Sequence, residues 1–140
     1  MLFTALDIST SGLQAQRTRM QTAASNVANL STSINENGER KPFQPRYVTF
    51  EATEQPGTPG LAGVRVASVT QSTAEPVYRY DPDSPEALQQ GPYAGCVPMP
   101  NVNLLGQMTD AMEAVRSYEA NLGVFEMSKD IAEQTLRILT

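Results

Sequence analysis

The side chains that most often carry chemistry are nearly absent: the sequence has no histidine, and Cys96 is its one cysteine. Imidazole or paired-thiolate metal sites and an intramolecular disulfide are excluded, and a serine nucleophile has no imidazole to take its proton. Carboxylates, tyrosines and lysines remain. Asp81 and Asp83 flank Pro82 in a turn-forming stretch without further converging ligands, which reads as solvent-facing acid and not as a calcium loop. Glycine-rich GTPGLAGV lacks the lysine and the strand-to-helix setting of a phosphate loop and reads as a turn. Cys96, in GPYAGCVPMP, has no histidine or helix start beside it to activate a thiolate and reads as a small loop residue. The formal charge of -5, from 10 basic and 15 acidic residues, opposes a phosphate-binding surface. Arg17 and Arg19, with no aromatic residues between them, read as a solvated helix face. No catalytic residue, metal ligand, cofactor or nucleic-acid partner is expected, and the sequence points away from enzymes.

The polar side chains that stand out are amides, whose chemistry is recognition. AASNVANLST, residues 23 to 32, places Asn26 and Asn29 at i and i+3 among alanines small enough to admit another backbone. Asn121 interrupts a later helical pattern despite its weak helix propensity, so it either meets a partner or stays solvated. For Asn26 and Asn29 two readings stand together. In one, an asparagine takes the left-handed geometry at a helix end and satisfies free carbonyls. In the other, the amides fix packing register, because any arrangement that leaves them unpaired is penalised. Tyr118, in RSYEAN, falls on an apolar stripe and reads as a core aromatic with its hydroxyl at the rim, while Glu113, Arg116 and Glu119 are spaced for surface pairs.

The elements that must position these amides are helices at the two ends. Residues 1 to 30 contain no proline, and Leu6, Leu13, Met20 and Val27 recur at a spacing of seven, predicting an amphipathic N-terminal helix. From Asn101 onward proline is absent again. Leu105, Met108, Met112, Val115, Tyr118, Leu122 and Phe125 follow steps of three and four, predicting a second helix capped by Asn103 or Asn101. Val124, Met127, Ile131 and Ile138 form a second partial stripe on that helix, more apolar surface than one neighbour covers. All ten prolines fall between residues 31 and 100, where RYVTFEAT, GVRVASV and PVYRY read as short strands divided by the turn-rich EQPGTPG and DPDSPEA.

The expected architecture is α+β: long terminal helices paired as an antiparallel coiled coil (residues 1–30 and 101–140) around a small, irregular, proline- and glycine-rich β insert (31–100). With 40% apolar residues, 6% aromatic and no tryptophan, part of the apolar surface is expected to be completed by partners. The candidate packing and interface residues are Leu6, Leu13, Met20, Asn26, Val27, Asn29, Met112, Val115, Tyr118, Asn121, Leu122 and Phe125. No stretch reaches transmembrane length, so no membrane insertion is expected, and MLFTALDIST lacks the basic and apolar regions of a cleaved signal peptide.

The opening segment DISTSGLQAQRTRMQTAASNVANLST resembles the N-terminal signature of bacterial flagellar axial proteins, with its Ala-Ser-Asn-x-Ala-Asn core. RYVTFEA, YDPDSPEA, VPMPNVN and RSYEAN, with the terminal helix, are similar to the proximal rod proteins of the FlgC type over nearly the whole length. The chain departs from that pattern at Ser84, at PYAGCVPMP and at STSINENGERKPF. The resemblance implies a structural subunit of the basal-body rod, the drive shaft that crosses the periplasm. Its implied partners are copies of itself, other rod subunits, a membrane-ring or export-gate adaptor at the rod base, and the flagellar type III export apparatus in transit. Export without a cleaved signal is implied too. A different rod or hook-type subunit, or a soluble helical-hairpin binding module, is the alternative.

Overall fold

A computed structural model describes residues 2–35, 37–54 and 62–139. Along the chain run α1 (Leu2–Ala28), β1 (Arg46–Glu54), β2 (Ala62–Gln71), β3 (Val77–Tyr80), β4 (Cys96–Met99) and α2 (Leu104–Leu139). This is the expected α+β arrangement of terminal helices around a strand insert. The GTPG part of the expected turn lies outside the described residues.

The helices are long because nothing interrupts them. At about 1.5 Å per residue, the 27 residues of α1 and 36 of α2 span about 40 and 54 Å. Asn103 caps α2: its Oδ1 accepts the Gly106 N–H at 3.0 Å, satisfying one of the orphan donors of the first turn. The pair is antiparallel, since Asn26 meets Gln107, Arg19 meets Asp110 and Glu113, and Gly12 lies against Asn121.

The seam between them differs from the apolar stripe the heptads suggest. On α1 the buried positions are Ser9, Gly12, Ala15, Ala23 and Asn26, whereas Leu6, Leu13, Met20 and Val27 are half-buried beside them. On α2, Gln107, Ala114 and Ser128 are buried and Asn121 half-buried, four residues recurring every seven. That strict repeat keeps one edge toward α1 as the helices coil. Small side chains let the helices approach closely, so closely that a Cβ at Gly12 would stand 2.7 Å from Asn121 Nδ2. Hydrophobic burial is correspondingly thin. Among the described residues the buried apolar side chains other than prolines are Ala15, Ala23, Ala87, Val97 and Ala114, and at about 0.8 kcal/mol per buried CH2-sized group the alanines contribute little each.

β1 and β2 form an antiparallel hairpin that lies along α1. Two pins fix it. Near the end of α1, Asn26 holds the first residue of β1, Arg46; near its start, the Val64 N–H donates to Ser11 Oγ at 3.1 Å. The spacings match: 15 residues of helix from Ser11 to Asn26 rise about 22 Å, and the six residues from Arg46 to Ala52, the partner of Val64, extend about 20 Å. A register shift between Thr49 and Phe50, where β2 carries the extra Ala67, bulges the ribbon, the feature that strengthens strand twist. Val48 and Phe50 turn inward as the alternation predicts, but the pattern lapses beyond Phe50, where Ala52 is exposed and Glu51 half-buried.

β3 and β4 form a second antiparallel pair. β4 is a strand that the sequence pattern did not reveal: Cys96, expected in a loop, opens it, half-buried and paired with Tyr80. Gly95, at φ 78°, makes the turn into it, and Tyr80 covers Gly95 so closely that a Cβ there would be 3.3 Å from the ring. The lobe packs around Val97, Pro98 and Pro100, with Tyr78 and Tyr93 stacked at 3.8 Å between centroids. Loop contacts tie it to the rest: Ser33 Oγ donates to Glu86, Arg40 Nη2 to the Pro85 carbonyl at 3.1 Å, and Asn101 Nδ2 to the Glu75 carbonyl at 3.1 Å.

Candidate functional site: a polar seam and an uncovered helix face

Asn26 is the junction of three elements. It is fully buried, and its Nδ2 donates to Gln107 Oε1 at 2.9 Å and to the Arg46 carbonyl at 2.8 Å. Its Oδ1 accepts the Arg46 N–H at 2.9 Å. One amide thereby sets the register of α2 against α1 and the place where β1 begins. A buried amide with its partners supplied stabilises only this alignment, since a slipped one strands polar groups away from water.

Asn29 works locally: Nδ2 donates to the Ser25 carbonyl at 2.9 Å and Oδ1 accepts from Thr32 Oγ1 at 3.1 Å, closing the end of α1. Neither asparagine takes the left-handed conformation, for the described residues at positive φ are all glycines. The helix end is closed by side-chain bonds instead.

Arg19 corrects the expectation of a solvated face. Its Nε donates to Asp110 Oδ1 at 2.8 Å, and its Nη2 reaches both Asp110 and, at 3.1 Å, Glu113 Oε2. These bonds hold the guanidinium above its ordinary pKa, the Asp110 hydrogen bond contributing most and partial burial opposing it. Glu113 accordingly faces α1. Asp81 pairs with Arg79 at 3.5 Å. Between the hairpin and the helices lies a groove of about 560 Å³, with Val48, Phe50, Ala23 and Gly106 in its walls and the Arg19–Asp110 pair across it.

The structure distributes the twelve sequence-predicted packing residues unevenly. Asn26 is buried in the seam; Leu6, Leu13, Met20, Val27, Asn29, Tyr118, Asn121 and Phe125 are half-buried; Met112, Val115 and Leu122 are exposed. Residues that no apolar pattern marks, Ser9, Gly12, Ala15, Gln107, Ala114 and Ser128, are buried in their place. On α2 the signal was the seven-residue spacing of Gln107, Ala114, Asn121 and Ser128. Outward from the seam, α2 leaves Leu105, Met108, Met112, Val124, Met127 and Ile131 uncovered. No helix among the described residues is long and apolar enough to cross a membrane.

Paired terminal helices with a polar-pinned seam and an uncovered apolar flank define a subunit of a larger assembly, and comparison with known proteins specifies its class. Residues 6–33 match the family model described as flagella basal body rod protein, and residues 94–138 the one described as flagellar basal body rod FlgEFG protein C-terminal. The chain is 41% identical to the flagellar basal-body rod protein FlgC of Aquifex aeolicus, covering 96% of this chain and 94% of that one. It is 37% identical to the FlgC proteins of Borreliella burgdorferi (99% and 97% covered) and Salmonella typhimurium (98% and 97%). The chain belongs to the FlgC family of flagellar basal-body rod proteins. It is a structural subunit of the basal body that assembles with other rod components, not an enzyme.

Proposed function

We propose that this subunit polymerises through its terminal helices into the shaft that spans the periplasm, transmits torque and surrounds the export channel. The observation that carries this reading is the uncovered apolar flank of α2, which its own chain leaves in water along most of its length. Contiguous exposed apolar surface of that extent marks an interaction site, and covering it stabilises the folded subunit by mass action. The thin alanine seam gives the complementary half of the mechanism. With little apolar area buried inside the chain, the helix pair is marginal alone, loosens for export through a narrow channel, and gains its rigidity when neighbouring rod subunits close over α2. An adaptor at the membrane ring or export gate would take the place of a neighbour at the base. Export by the flagellar type III apparatus, without a cleaved signal, belongs to the same proposal.

The test is Met108→Glu with Met112→Glu in a strain lacking the native copy. The charges sit in water in the free subunit and cost stability little there, so circular dichroism should match the parent. Basal bodies should lack the subunit, and motility should be lost. Normal incorporation and swimming would refute the reading.

A further inference from the structure

The two β ribbons have an outer edge on each of β1, β2, β3 and β4, and all but that of β1 are blocked or broken. In β4 the Leu88 N–H donates to the Cys96 carbonyl at 2.9 Å, the Cys96 N–H donates to the Tyr93 carbonyl at 3.0 Å, and Pro98, the next residue facing that way, has no N–H. β3 is 4 residues long and lies between Pro76 and Pro82. β2 is pinned to α1 through Val64 and bulged at Ala67. Short length, prolines, bulges and covering loops are what keep sheet edges from pairing with other chains.

β1 has no such device beyond its first residue. Its 9 residues, RYVTFEATE, include no proline, no lysine and no inserted residue. Both backbone groups of Arg46 point away from β2, to Asn26, and in an antiparallel pair that direction recurs at every second residue. Val48, Phe50 and Ala52 therefore turn their N–H and C=O groups away from β2 as well. Val64, opposite Ala52, agrees with this phase, since its N–H is directed away from β1, to Ser11. None of the three has a hydrogen-bond partner on that side among the described residues. Val48 and Phe50 instead border the groove of about 560 Å³ that Gly106, Gln107 and Asp110 of α2 also line.

We propose that this edge binds an extended strand of a different rod component, which pairs with Val48, Phe50 and Ala52 and lays alternate side chains in the groove. The inference rests on assembly into the rod and adds a surface separate from the flank of α2. A strand is the ligand whose own N–H and C=O groups recur every two residues, about 6.7 Å, in step with the edge. Its groove-facing side chains are apolar, against Val48, Phe50 and Ala23. At its end beside Arg46 an acidic residue fits, because that guanidinium is exposed and has no carboxylate partner among the described residues. A second copy of this chain suits the site less well. Its other outer edges are blocked or broken, and β1 against β1 is a two-fold contact that closes the pair and offers nothing to the next subunit.

The experiment compares amide hydrogen exchange in the free subunit and in purified basal bodies. In the free subunit Val48, Phe50 and Ala52 should exchange about tenfold or more faster than Tyr47, Thr49 and Glu51, whose N–H groups face β2, and in basal bodies the first three should slow by about tenfold or more. Unchanged exchange at all three would overturn the proposal. Ala52→Pro removes an N–H that β2 does not use from an exposed position, so the free subunit should keep its circular dichroism while incorporation into basal bodies falls several-fold. Normal incorporation would overturn the proposal too, and should the variant unfold, the exchange comparison on the parent chain still decides. With p-benzoylphenylalanine in place of the exposed Thr49, irradiated basal bodies should yield an adduct to a different rod protein. An adduct to a second copy would overturn the assignment. Met108→Glu with Met112→Glu separates the two readings: if it assembles and Ala52→Pro does not, the reading of the α2 flank fails and the strand site stands.

Discussion

α1 and α2 carry similar heptad patterns and meet opposite fates. α1 is enclosed, with α2 on one side and the β1–β2 hairpin along another, and none of its described large apolar side chains is exposed. α2 touches only α1 among the other elements and leaves Leu105, Met108, Met112, Val124, Met127 and Ile131 in water. The difference teaches that an apolar repeat says a helix has partners, not where they are. In α1 the partners belong to the same chain. In α2 the proposed function assigns them to other subunits, while the contact within the chain is made by glycine, serine, alanine and amides, which contribute little by hydropathy and much by fit.

The most forceful way to break this comparison is to wedge the seam. Gly12→Leu places a branched side chain where even a Cβ would meet Asn121, so the pair cannot close, and both helical circular dichroism and motility should be lost. Gly12→Ala sharpens the point. It gains roughly 1 kcal/mol of helix propensity but forces the Asn121 amide aside, so it should become stabilising only when combined with Asn121→Ala, which urea melts of the double-mutant cycle would reveal.

Asn26→Leu comes next. It removes three hydrogen bonds from a fully buried site and orphans the Gln107 amide and both Arg46 backbone groups, at about 1–3 kcal/mol for each polar group stranded. Several kcal/mol of destabilisation should appear in urea melts, together with loss of hydrogen-exchange protection at the start of β1. The hairpin loosens with the helices because one side chain pins both. Ser11→Ala, at the other pin, should cost about 1 kcal/mol and free the Val64 amide to exchange while the Arg46 end stays protected.

Smallest is Arg19→Met. The pair with Asp110 and Glu113 is partly open to solvent and screened, so about 1 kcal/mol is expected, shrinking as salt is raised. A loss that does not change with salt would mean the arginine acts through its stem and not through its charge.

Much of this was legible in advance, and the parts that were not share a cause. Two proline-free ends with heptad spacing announced the helices, and Asn103 or Asn101 announced the start of α2, where Asn103 proves to be the cap, because capping and periodicity are local. Asn26 stood out as an amide among alanines, yet its partners lie 20 and 81 residues away, and no local pattern names them. Arg19 looked solvated for the same reason, its carboxylates being 91 and 94 residues distant. The seam was misplaced because hydropathy weighs Leu13 above Gly12, whereas two backbones in close approach require the residue without a side chain. β4 escaped notice because CVPM is only four residues long, contains a proline, and is a strand only by virtue of pairing with β3.

The central claim, that the outer flank of α2 is open in the free subunit and closed in the rod, is tested most directly by thiol labelling of Met108→Cys in a Cys96→Ser background. A maleimide should label the free subunit as fast as an unstructured peptide thiol and label purified basal bodies at least tenfold more slowly, roughly the protection that full burial against a neighbour confers. Equal labelling in the two states would contradict the account, because the flank would then remain in water after assembly and the chain would join its neighbours by another surface.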